Sequence, residues 1–137
     1  MDAAVAYGLD NFPIYLTYAL SLGLLLAGFV AAYMWITPYR EITLIRQGNN
    51  AAAVSFTGVL IGFALPLASV ASATTYVLDM LMWSVIALVG QLVAFLLAGR
   101  LMGDLRQGIE EDKVSYGILV AGLSITTGII NAASLSY

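Results

Sequence analysis

Long uncharged apolar stretches alternate with short polar ones along this chain. No charged residue falls between Asp10 and Arg40, and residues 14–36 form an apolar run able to cross a hydrocarbon core of about 30 Å as a helix. Residues 54–76 are a second such run, again uncharged, and residues 77–99 a third with a single charge, Asp79. Residues 114–136 are the fourth. The second and third runs almost abut, so a tight turn at residues 72–76 must join them. The pattern predicts an all-α polytopic membrane protein with four transmembrane helices.

The polar stretches set an orientation. Arg40 and Arg46 lie between the first two spans, and Arg100, Arg106 and Lys113 between the last two, which accounts for all five basic residues. Basic loops stay on the cytoplasmic side, so both turns are expected inside and both termini outside. The same stretches repeat. A shift of sixty residues superposes Arg40 on Arg100, Arg46-Gln47-Gly48 on Arg106-Gln107-Gly108, Val54-Ser55-Phe56 on Val114-Ser115-Tyr116, and Gly62 on Gly122. The chain then divides into an outside N-terminal segment, 1–13, a first two-span repeat, 14–76, and a second, 77–137. Each repeat holds an even number of spans. The two are therefore expected in the same orientation, related by a pseudo-two-fold along the membrane normal.

Within the first turn, Thr37-Pro38 has the form of an N-cap and first-turn proline for a short helix ending near Gln47. Gly48 suits a left-handed C-terminal position, with Asn49 or Asn50 capping the next span. Gly108 is expected to act as Gly48 does. Arg40, Glu41, Arg46, Gln47, Gly48, Arg100, Arg106, Gln107 and Gly108 thus make up an expected cytoplasmic surface. It is either an ordinary turn between helices or a docking place for a partner.

Helices in lipid gain little by hiding apolar surface from each other, so close packing depends on small residues. Gly58, Gly62, Gly90, Gly122 and Gly128 are the expected contact points, with Gly23-x3-Ala27-x3-Ala31 in the first span. Pro66 has no amide hydrogen, so the carbonyl of Gly62 loses its helical donor and a kink is expected. Polar groups at depth are few. Gln91 and Ser84 share a face of the third span, and Asn131 lies in the fourth. Asp79 sits near the outer end, where a helix N-terminus favours an anion; the alternative is a cation or proton site at the outer mouth. Similar heights predict an Asn131–Asp79 hydrogen bond. Pro66, Asp79, Gln91 and Asn131 are the candidate intramembrane residues.

Composition narrows the chemistry. Of 137 residues 61% are hydrophobic and 9% charged, against roughly 25% charged in a soluble domain; lipid must be the main solvent. The absence of cysteine and histidine removes disulfides, thiolate nucleophiles, and the commonest metal ligand and acid–base group. No cofactor or metal is expected. A net charge of −3 with five basic residues does not fit nucleic-acid binding. Met1-Asp2-Ala3-Ala4-Val5 lacks a basic leader region, so the first span is expected to be retained. With no paired carboxylates, nucleophile–base pair or phosphate-cradling loop, an enzyme is not expected.

Thr37-Pro38-Tyr39-Arg40-Glu41, Leu44-Ile45-Arg46-Gln47-Gly48-Asn49, Ala51-Ala52-Ala53 and Ile61-Gly62-Phe63-Ala64-Leu65-Pro66-Leu67-Ala68-Ser69 resemble the family called domain of unknown function 350, the YjfL-type bacterial inner-membrane proteins. Asp79, Trp83 and Gln91 match its third span, and Gly128-Ile129-Ile130-Asn131-Ala132-Ala133 its fourth. The resemblance runs from Tyr15 over nearly the whole chain. It departs at Tyr39, where histidine is frequent, at Ile129, where leucine is usual, and in lacking a cysteine near the end. The resemblance implies a duplicated two-span domain in the bacterial inner membrane, and association with envelope-stress and membrane-organising proteins. It carries over no catalytic or transport residue.

These readings converge on a non-enzymatic inner-membrane subunit that forms homo-oligomers or scaffolds a cytoplasmic or membrane partner. The alternative is a small channel or transporter with a path between the two repeats.

Overall fold

Six helices follow one another in the computed structural model, which describes residues 2–135: α1 (Ala3–Ile36), α2 (Glu41–Arg46), α3 (Asn50–Ala73), α4 (Val77–Met102), α5 (Leu105–Glu110) and α6 (Val114–Ser134). No strand occurs among the described residues. α1, α3, α4 and α6 are long and apolar enough to cross a membrane. α2 and α5 are six-residue helices in the two polar turns. These turns lie together at one end of the bundle, here the turn end. The link at residues 74–76 lies at the other, where Tyr18 Oη of α1 donates to Thr75 O at 3.1 Å.

Helix ends depart from the apolar runs for local reasons. α3 begins at Asn50, four residues before the run, because Asn49 Oδ1 accepts from Ala52 N at 2.8 Å and satisfies an orphan amide of the first turn. α1 begins at Ala3 and passes through Pro13, so the segment placed before the first span is helical from residue 3. Pro13 frees only one carbonyl, and α1 is exposed there. Its 34 residues make a helix of about 51 Å, well beyond a core of about 30 Å. The end expected for the fourth span, Ser136, lies outside the described residues.

The centre of the bundle is a parallel pair, α3 and α6, whose backbones touch. A Cβ on Gly117 would collide with the Ala51 carbonyl, one on Gly58 with Ala121, and one on Gly62 with the Ser124 carbonyl. Farther along, Ser69 Oγ donates to Ala132 O at 2.8 Å. Gly128 belongs to the same close seam. The position a Cβ would take there is filled by the carbonyl of Gly62, the one that Pro66 deprives of its amide donor. The hydrogen in that place on Gly128 therefore points at a carbonyl oxygen in need of a partner, a weak C–H···O contact. Gly90 and Gly122, expected among the contact points, have nothing within 4 Å of an added Cβ. Both face outward, and Gly62 meets Gly128 rather than its sequence counterpart Gly122.

The two turns are alike, but not at the spacing of the sequence match. In the first, Gly48 N donates to Ile45 O and Asn49 N to Leu44 O; in the second, Asp112 N donates to Ile109 O and Lys113 N to Gly108 O. The turns thus correspond at a shift of sixty-four. Gly48 takes the left-handed position as expected, at φ 85, but Asp112, at φ 56, takes it in the second turn. Gly108 instead lies inside α5, where a Cβ would strike the Tyr116 ring. Thr37 is also displaced from its expected role. It closes α1 rather than opening α2, its Oγ1 donating to Met34 O at 3.1 Å, because the residue before a proline disfavours helical backbone.

Gly128→Leu should destabilise the protein by at least about 1–3 kcal/mol, since backbone cannot yield to the new side chain. Gly122→Ala should leave stability unchanged or raise it by up to about 1 kcal/mol. Thermal unfolding in detergent micelles checks both.

Candidate functional site

Polar side chains are buried in two places. At membrane depth, Gln91 of α4 is 4% exposed. Its Nε2 donates to Ser124 O on α6 at 2.8 Å and would stand 2.9 Å from a Cβ on Gly62. Gln91 thereby ties α4 to the α3–α6 seam. Asn131 Nδ2 donates to Ala87 O at 2.7 Å, which corrects the expected Asn131–Asp79 bond. Asn131 lies level with Ala87, about two helical turns deeper than Asp79. Asp79 stands in the first turn of α4, where the helix dipole favours its charge. Pro66 is buried in the seam. These four candidates are not assembled into one site. Gln91 and Asn131 each spend an amide on a neighbouring helix's carbonyl, and such bonds in membranes are worth about 0.6 kcal/mol on average.

The second place is the turn end. Arg40, Arg46, Gln47, Arg100, Arg106 and Gln107 are exposed, as a surface should be. Glu41, expected with them, is not; it is 1% exposed. The chain bends at residues 37–39 and turns the start of α2 inward, beneath the end of α1. There Glu41 joins Tyr33, Thr37, Tyr39 and Ser55, all buried. The Tyr33 and Tyr39 hydroxyls and Glu41 Oε1 are within electrostatic reach of one another, yet outside hydrogen-bond geometry with any described group. Tyr33 also holds three helices together, its ring edge-on to Phe63 of α3 at 6.2 Å and to Phe95 of α4 at 4.6 Å.

No basic side chain acts on Glu41. Burial pushes its carboxyl above the ordinary glutamate range, against smaller opposing effects of Thr37, its own backbone amide and Tyr33. Burial likewise raises the Tyr39 phenol. Burial among neutral hydroxyls therefore favours the protonated form of the carboxyl.

A polar clasp joins the two turns. Asn49 Nδ2 donates to Ile109 O at 2.7 Å, and Asp112 Oδ1 accepts from Ala51 N at 2.8 Å. Asp112 thus supplies a second cap for α3, from the other half of the chain. Neither the Tyr33–Tyr39–Glu41–Ser55 cluster nor the Asp112 cap was foreseen. The one available signal was Tyr39, at a position where the resembled family often has another polar ring.

Four membrane-crossing helices paired through glycine-rich seams and joined by two short polar turns define a multi-pass integral membrane protein. The family model described as Domain of Unknown Function (DUF350) matches residues 6–135, and the chain belongs to that family. It is 34% identical over 109 residues to the UPF0719 inner membrane protein YjfL of Escherichia coli strain K12, covering 80% of this chain and 83% of that protein. The YjfL protein of Escherichia coli O157:H7 matches to the same extent. No solved structure matches. The relationship makes this an inner-membrane protein of a family of unknown function.

Because the folded pKa of Glu41 is raised, its contribution to stability is fully present below the unfolded value, about 4.3. It is lost as pH rises through the folded value, since only the unfolded chain releases the proton easily in that window. Melting temperature should therefore fall with rising pH above about 4.3 in the wild type. Glu41→Gln, a permanent neutral mimic, should flatten that slope, as read by thermal unfolding across the window.

Proposed function

We propose that this chain is a non-enzymatic subunit that self-associates in the inner membrane through α1 and presents its basic turns to a cytoplasmic partner. The observation that carries the reading is the state of α1. Only 11% of its most apolar stretch is buried, against 50% for α3. The small-residue strip of Gly23, Ala27 and Ala31, with Gly28 beside it, is exposed, and an added Cβ on either glycine meets nothing. Small residues facing lipid forgo dispersion contacts, whereas against a second helix they permit close backbone approach.

Further support comes from the polar groups. Both amides at depth are bonded to backbone carbonyls, and the α3–α6 seam between the two halves is the most tightly closed part of the bundle. That argues against a conduit between them. The two halves are read as parallel duplicates whose turns have drifted by four residues from the register of their sequence match. The five basic residues, all in the two turns, support an orientation with both turns in the cytoplasm and both termini in the periplasm.

The chain has no cysteine, so a single introduced thiol reports unambiguously. Ala27→Cys in native membranes should give crosslinked dimers in much higher yield than Ile118→Cys, on the exposed face of α6. Equal yields, or a monomeric mass in lipid nanodiscs, would refute self-association through α1.

A further inference from the structure

A cavity of about 450 Å³ opens between α4 and α6, a size in the range of small-molecule sites. Phe95, Leu97 and Leu101 of α4 face Leu119 and Leu123 of α6 across it. All but Phe95 of these are also exposed on the outer surface of the bundle, so the cavity opens sideways, to whatever solvates the spans. In a membrane that is lipid. From Gln91 at its deep end to Met102 at its mouth the cavity follows eleven residues of α4, about 16 Å. This is roughly half of a core of about 30 Å, the depth reached by the acyl chain of one leaflet.

At the turn end the cavity continues into a second crevice, with Phe95, Gly99 and Leu105 lining both. There charged side chains join the apolar wall. Arg100, Asp104, Arg106 and Glu110 line the crevice. Arg106 and Glu110 already satisfy each other at 3.1 Å. Arg100 and Asp104 are exposed and make no ion pair among the described residues. Asp104 precedes α5 without capping it. One free cation and one free anion stand together where an apolar slot meets the membrane surface.

We propose that this crevice binds one phospholipid of the leaflet at the turn end, with an acyl chain between α4 and α6 and a zwitterionic amino-alcohol headgroup outside. Arg100 takes the phosphate, for which a guanidinium is well formed. Asp104 takes the ammonium. Phosphatidylglycerol would set a neutral glycerol against Asp104 and leave its charge unpaired, and a quaternary ammonium would offer it no N–H donor. The pairing therefore selects phosphatidylethanolamine over phosphatidylglycerol and phosphatidylcholine.

The test is native mass spectrometry of the full chain, released from micelles containing equal amounts of those three lipids. One phosphatidylethanolamine per chain should survive activation that strips the other two. Arg100→Gln and Asp104→Asn, both off the packed core, should each weaken its retention by roughly tenfold, the scale of one lost charge-assisted hydrogen bond. Leu123→Trp should fill the slot and abolish retention, with folding checked by its melting curve. Equal retention of all three lipids marks a merely annular contact and overturns the proposal. Preference for phosphatidylglycerol overturns it too, as does undiminished retention in the two headgroup variants.

Discussion

The contact on which the bundle depends is the approach of the Gly62 carbonyl to the backbone of Gly128. Lipid gives apolar helices little reason to prefer one another over acyl chains, so association rests on close packing and polar complementarity. Here both arise from one short sequence. Pro66 frees the carbonyl, Gly62 lets α6 come near, and Gly128 leaves room for the oxygen. The close crossing holds Ser124 where its carbonyl receives the Gln91 amide, and so brings in α4. A polar feature that looks costly in hydrocarbon thus becomes the means of joining three of the four spans.

The turn end shows the same economy with different chemistry. The two turns have matching backbone hydrogen bonds but unlike side chains. Asn49 caps its own helix and reaches across to Ile109, while the left-handed Asp112 turns back to cap α3. α6 receives no side-chain cap in return. Glu41 and its two tyrosines likewise belong to the first half only. Turns that match in backbone hydrogen bonding thus differ in their buried polar groups. Interactions that are specific and buried are therefore the ones that tell the halves apart.

Much of this was legible in the sequence, for a physical reason. Hydrocarbon thickness imposes a length on apolar runs, and that length is visible without any knowledge of packing. The four spans, the tight link near residue 74, the capping Asn49 and the left-handed Gly48 follow from such local rules. What escaped depends on rotation about helix axes and on register between distant segments. Gly90 and Gly122 have the right composition on the wrong face. Asn131 was matched to Asp79 by height alone, although the nearer carbonyl of Ala87 was available. Glu41 sits beside two arginine-bearing positions in a polar turn, and nothing local reveals that the bend at residues 37–39 folds it inward. Gly108 shows the limit of repeat matching: identical tripeptides occupy different places once a turn slips by four residues.

The distribution of unsatisfied groups gives the last step. Of the five buried side-chain atoms without a partner among the described residues, three belong to Tyr33, Tyr39 and Glu41 at the turn end. That end also carries all the basic residues and the mouth of the lipid-facing cavity. The opposite end holds the projecting, thinly packed first half of α1. A buried carboxyl without a cation, beneath the end of α1, is a costly arrangement if its sole purpose is to close a turn. Tyr33 belongs both to that cluster and to the cavity wall, and its ring meets α3 and α4. Tyr33 is therefore the residue through which the buried carboxyl adjoins both the α3–α4 contact and the slot between α4 and α6.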